Sequence, residues 1–215
     1  AAPEAGLTAP ASYTNTLVVN NQRAYASFYA LGDGWYDTSM LAYTTSKSWS
    51  FSFQVNGLAD PSDLVTLNLN VWGVTDWPQT PDHHLLVGVN GVPVANATFD
   101  GLVEKTLNIS LPAGTLHEGE NSLQLTLPGD TGVQYEMVNL DNFSLAYQRT
   151  FQAQNGRLAF TATGGVFNVT NLPSSNVVIY RLSDAGLARL ENVQVQATGG
   201  VFNASFAGIN QTATY

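Results

Sequence analysis

Apolar and polar residues alternate along most of this chain. In SWSFSFQV, Trp49, Phe51, Phe53 and Val55 share one parity while Ser48, Ser50, Ser52 and Gln54 share the other. DLVTLNLNVWG sets Val65, Leu67, Leu69 and Val71 against Thr66, Asn68 and Asn70. KTLNISL and NSLQLTL repeat the scheme with Leu107, Ile109 and Leu111, and with Leu123, Leu125 and Leu127. Side chains on a strand point to opposite faces in turn, so each segment predicts an antiparallel strand with one buried and one wet face. Asn56-Gly57, Asn90-Gly91, Asp100-Gly101, Glu118-Gly119 and Pro128-Gly129 supply turns between them. Parity puts Trp49 in the core. The expected fold class is all-β, with a jelly-roll-like antiparallel β-sandwich over residues 1–148 and a second, smaller β-domain over 149–215.

Three interruptions refine this outline. VNLDNFSLAY changes phase: Val138 and Leu140 have one parity, Phe143, Leu145 and Tyr147 the other. That slip predicts a β-bulge around Asp141-Asn142. Near residue 150 the segments shorten and Asn, Thr and Gly become more frequent, which marks the domain boundary. Beyond it ATGGVFN occurs at 162–168 and again at 197–203, predicting two Gly-Gly hairpins on one small sheet. DAGLARLEN (184–192) offers at most one helical turn.

Composition narrows the function. The net charge is −9, with 7 Lys+Arg against 16 Asp+Glu, and no basic cluster exists to hold phosphates. Neither nucleic acid nor an anionic membrane surface is therefore expected as a partner. With no cysteine, the chain has no disulfide, thiolate metal site or cysteine nucleophile. No run of about 18 apolar residues occurs, so no membrane-spanning helix is expected. Few charges with much Thr, Ser, Asn and Gly fit an extracellular or cell-surface β-protein. The opening AAPEAGLTAPASYTNT has neither basic residues nor an apolar stretch, as expected either at a mature end left by signal-peptide removal or at a cut within a longer chain.

DHHLLVGVNG (82–91) holds two of the three histidines. Adjacent residues of a strand face opposite ways, so His83 and His84 do not ligate one metal from one face. His83 has the parity of Leu85, Val87 and Val89 and faces the core; His84 faces out. No serine stands in a nucleophile elbow, and most of the aspartates lie in turns, where Asp caps its own backbone. Neither fact favours a hydrolase built on His84. A structural calcium held by loop oxygens is the metal chemistry that suits acid-rich loops, with Asp141 at the phase break as its ligand. Carbohydrate binding needs aromatic platforms beside polar groups. NVWGVTDWPQTPDHH offers Trp72, Trp77, Asp76 and His84, and LGDGWYDTS offers Trp35 and Tyr36. Trp77, before Pro78 in a turn-rich loop, is the foremost of these.

The order of several motifs carries a family resemblance: Asp82-His83-His84, Asn90-Gly91, Phe99-Asp100-Gly101, Leu111-Pro112, Glu118-Gly119-Glu120-Asn121 and the VNLDNFSLAY strand. Over residues 12–206 the chain resembles the region upstream of the catalytic domain in gingipain-like secreted cysteine peptidases. VVIYRLSDAGLARL fits less well, reading Tyr180-Arg181-Leu182-Ser183-Asp184-Ala185 where those proteins more often have Tyr-Asp-Val-Thr-Asp-Pro. VNLDNFSL is also similar to the last strand of galactose-binding-like jelly rolls, where an acidic residue at the position of Asp141 often serves a calcium site. The resemblance implies a non-catalytic accessory region that positions or docks a neighbouring domain of the same polypeptide or a surface protein. It does not bring peptidase activity, since that needs a cysteine. The other expectation is a carbohydrate-binding module that meets a surface glycan through Trp77, Trp72 or Trp35.

Overall fold

The computed structural model describes residues 9–26 and 34–215. The first half of the opening segment read as a mature end, residues 1–8, lies outside them. Antiparallel pairing runs through the sheets, and no helix occurs among the described residues. The chain divides into two compact units. One comprises Thr16–Val55 and Asp60–Tyr147; the other joins Gln148–Tyr215 to Asn56–Ala59 and to the residues up to Asn15. The observed division therefore differs from a single cut at 148, because two earlier stretches belong with the C-terminal unit.

The first eleven strands are β1 (Ser12–Val19), β2 (Ala24–Tyr25), β3 (Trp35–Tyr36), β4 (Thr38–Ala42), β5 (Lys47–Val55), β6 (Val65–Gly73), β7 (His83–Val89), β8 (Val92–Phe99), β9 (Glu104–Leu111), β10 (Gly119–Leu127) and β11 (Glu136–Thr150). One sheet has the order β1-β11-β6-β9 with β4 also on β11; a second runs β5-β10-β7-β8; β2 and β3 form a short ribbon. The parities read from the sequence meet in the core of this unit. Leu67, Leu69, Phe143 and Leu145 of one sheet are buried, as are Leu85, Val87, Leu123 and Leu125 of the other. Phe53 meets Phe143 edge-on at 5.6 Å between centroids.

The phase break is a bulge. Leu140 pairs with Val71 and Asn142 with Asn70, so Asp141 is the extra residue. It lets buried Val138 and Leu140 be followed by buried Phe143, Leu145 and Tyr147. Asn90-Gly91 turns β7 into β8 with φ of 52° and 81°. Both central residues have positive φ, which a tight hairpin requires and Asn-Gly tolerates.

The C-terminal unit adds β12 (Thr161–Thr163), β13 (Val166–Leu172), β14 (Tyr180–Ser183), β15 (Gly186–Arg189), β16 (Gln194–Thr198), β17 (Val201–Ala207) and β18 (Thr212–Thr214), in sheets of order β12-β18-β14-β15 and β13-β17-β16. Its core is aromatic: Phe151, Phe160, Phe167, Phe206 and Tyr215 are buried together. Tyr13, from the start of the chain, completes that core, 5.0 Å from the Phe151 ring and 5.4 Å from Phe160.

Three expectations need correction here. The two ATGGVFN copies are not two hairpins. Gly199-Gly200 does close the β16–β17 hairpin, where Thr198 pairs with Val201, but Gly164-Gly165 carries the chain from β12 in one sheet to β13 in the other. DAGLARLEN forms no helical turn, because Gly186–Arg189 is strand β15, paired with β14. Trp49 is only half-buried, with the Lys47 ammonium 5.0 Å above its ring.

Candidate functional site

Three loops of the sandwich unit converge: 43–46 between β4 and β5, 74–82 between β6 and β7, and 128–135 between β10 and β11. Gly129 (φ 73°) makes the approach possible, since a Cβ there would stand 2.6 Å from the Tyr43 carbonyl oxygen. Trp77 meets Tyr135 edge-on at 5.0 Å, and its indole N–H donates to the Tyr135 carbonyl at 2.8 Å. Tyr135 in turn lies 6.2 Å from Tyr43. Tyr43 is 59% and Tyr135 37% exposed, so the surface shows two tyrosine rings braced by a half-buried tryptophan.

Buried polar groups hold the Trp77 loop in place. Asp82 is fully buried; its Oδ2 accepts the Trp77 backbone N–H at 2.9 Å and its Oδ1 that of Gly101 at 2.8 Å. His83 is also fully buried, stacked on Phe99 at 4.6 Å, with Nε2 3.1 Å from the Thr75 carbonyl oxygen. Burial pushes the His83 imidazole below its usual value against the pull of Asp82, so the ring is neutral near pH 7 and Nε2–H donates to Thr75. Gly73 leaves room for this ring, since a Cβ there would lie 2.7 Å from His83 Nε2.

His84 faces outward beside Asp130 and Asn96. Nδ1 is 2.8 Å from Asp130 Oδ1, and Nε2 is 2.8 Å from Asn96 Oδ1. Partial burial disfavours the imidazolium, but bonds to Asp130 and Asn96 and the charges of Asp130 and Glu136 outweigh it and raise the pKa. Below the strand, the fully buried Glu136 accepts the His84 backbone N–H at 3.0 Å through Oε2. Burial raises the Glu136 carboxyl above its usual range despite backbone bonds from His84 and Gly129. Oε1 has no hydrogen-bond partner.

The sequence-derived candidates are scattered over several places. Trp77 and His84 lie on the convergent loops and the adjoining start of β7. Trp72 is 7% exposed and belongs to the core end of β6, where Val71, Trp72 and Gly73 are all buried. Parity fails there because both faces of the strand are covered. Tyr36 is likewise buried, whereas Trp35 is 42% exposed and packs on Tyr25 at 5.2 Å as a separate pair. Asp76 is exposed. Asp141 sits on the bulge and accepts the Asn142 side-chain N–H at 2.8 Å. No group of three or more His, Cys, Asp or Glu residues is gathered as a metal site among the described residues. Tyr43, Tyr135 and Asp130 were not singled out by sequence reasoning, and Asn96 was not read as part of a binding site. Tyr135 and Asp130, both in the PGDTGVQYE loop before the last strand of the sandwich, carried the nearest thing to a signal.

What the arrangement can do is present two rings to an apolar face, with an imidazole, a carboxylate and an amide as hydrogen-bonding groups at the start of β7 and on its neighbours. The described residues contain no helix long and apolar enough to cross a membrane.

No family model matches the chain, and none of the curated proteins searched matches it. Solved structures do match. Latent PorU from Porphyromonas gingivalis, a gingipain-like protein, is similar over 99% of this chain with a TM-score of 0.69 and 13% identity. The CBM36-1 domain of a multidomain xylanase from the hindgut metagenome of Trinervitermes trinervoides matches over 61% of this chain and 96% of its own, with a TM-score of 0.36 and 13% identity. A family 35 carbohydrate-binding module from an environmental isolate matches over 72% and 92%, with a TM-score of 0.35 and 18% identity. This chain spans about a fifth (21%) of the PorU chain, and what the two share at that identity is the fold of this region.

Proposed function

We propose that this chain is a non-catalytic accessory region of a larger secreted or cell-surface, peptidase-related polypeptide, and that it positions or docks a neighbouring domain. The observation that carries this reading is the PorU likeness, which extends through both units of the chain rather than through the sandwich alone. The absence of any cysteine fits a role apart from thiol catalysis. The test is the open reading frame that contains this segment. A domain with a Cys/His catalytic pair encoded beyond Tyr215 is the expected result; a stop codon directly after Tyr215 would sink the idea.

A second reading has its own support in the convergent loops. Exposed Tyr43 and Tyr135, with His84, Asp130 and Asn96 nearby, suit a glycan whose ring packs on an aromatic face while its hydroxyls find polar partners. Glycan-array binding by the wild type, lost in Tyr135→Ala, is the expected outcome under this reading. A structural calcium at Asp141 goes with it and would draw its other ligands from backbone carbonyls. Chelation should then lower the melting temperature, and an unchanged melting curve would remove the metal.

A further inference from the structure

The C-terminal unit contains an open cavity of about 750 Å3, within the range of ligand pockets. Phe160, Phe206 and Tyr215 of the aromatic core reach its lining, together with Leu172 and Ile179. Arg149 and Arg157 line it as well. Among the described residues neither arginine forms an ion pair, and the buried Nε of Arg149 has no hydrogen-bond partner. A guanidinium at a cavity wall without an ion-pair partner is matched best by a carboxylate, which its fork of N–H donors can hold through two parallel bonds.

The charge distribution points the same way. Residues 148–215 carry Arg149, Arg157, Arg181 and Arg189 against Asp184 and Glu191, a net of +2, within a chain of net charge −9. An anionic group is drawn to this segment and repelled by the remainder.

The segment that lines one side of the cavity also has two free backbone donors. Between Leu172 and β14 the chain runs past the cavity from Ser174 to Ile179. Val177 N–H donates to the Ser175 carbonyl, and the Ile179 carbonyl accepts from Leu190. The N–H groups of the intervening Asn176 and Val178 have no partner among the described residues. Two free N–H groups two residues apart can each donate to a carbonyl of a bound peptide.

We propose that this cavity binds an extended acidic-apolar peptide segment. The segment lies along Asn176–Val178, seats an aliphatic or aromatic side chain on Phe160, Phe206 and Tyr215, and pairs a neighbouring carboxylate with Arg149 and Arg157. A fatty acid shares the tail and the head group but does not use the two N–H groups. The proposal deepens the docking reading and rests on it only for the origin of the segment. The reading frame tests that origin, and peptide binding tests the site, so the two fail separately.

The test is fluorescence anisotropy on the whole chain with labelled, acetyl-capped hexapeptides that alternate Leu with Asp, and with the same peptides carrying Asn for Asp. The Asp peptides should bind saturably and the Asn peptides about tenfold more weakly. Arg157→Gln, at an exposed side chain without partners, should remove that preference while leaving the melting temperature unchanged. Val178→Pro, which deletes one N–H, should weaken both peptides. Three outcomes would overturn the proposal: no saturable peptide binding, equal binding of Asp and Asn peptides, or binding of decanoate where the peptides do not bind.

Discussion

At Gly73, the last residue of β6, the space a side chain would fill is taken by the Gly101 carbonyl oxygen and the His83 ring. Gly73→Ala should therefore cost roughly 1–3 kcal/mol as the Gly101 backbone shifts and His83 is displaced from Phe99 and Thr75. A urea denaturation curve with an unchanged midpoint would refute this. Glu136 lends itself to a second test. Its folded pKa is raised from 4.5 by burial, so the folded chain holds that proton more tightly than the unfolded one. Its contribution to stability is then greatest at low pH and is lost as pH rises through the folded pKa. Glu136→Gln keeps an acceptor for the His84 backbone N–H and removes the titration. The variant should gain stability relative to the wild type as pH rises from about 4.5 through the raised folded pKa; a difference that stays constant as pH rises above 4.5 would contradict the raised pKa. Trp77 braces Tyr135, so Trp77→Ala should weaken any glycan binding through loss of the tyrosine's position, with a larger drop in affinity than Trp35→Ala. Equal effects from both would argue against a single loop site.

Among the elements, β1 and β11 each contribute residues to both units. Tyr13, on β1, is 7% exposed within the aromatic core of the C-terminal unit. Removing its ring should cost about 3 kcal/mol and accelerate amide exchange in β13 and β17, whereas slower or unchanged exchange would place Tyr13 outside that core. The strands themselves were legible because a half-buried strand has only one pattern, alternation, and because the bulge at Asp141 had to reverse that pattern. Pairing was less legible. The identical ATGGVFN segments show why: Gly-Gly allows a turn in both, yet one closes a hairpin and the other crosses between sheets. Which strand follows alongside is decided by partners elsewhere in the chain, such as β17 beside β13.

For the molecule as a whole, the sequence determined an all-β architecture, an acidic chain without thiol chemistry, and a gingipain-like accessory resemblance that the PorU likeness matches in fold. These rest on local periodicity, composition and motif order, which need no knowledge of distant contacts. The sites depended on tertiary structure. Trp72 looked available by parity and is buried, because coverage of a strand's second face depends on which loops fold over it. Tyr43 and Tyr135, 92 residues apart in sequence, share a surface only because three loops meet there. Arg149 and Arg157 are unremarkable in the sequence and acquire a role from the aromatic cavity beside them. Alternation determines which side of a strand is apolar; only the packing of distant strands and loops determines which of those faces, and which charges, remain open to a partner.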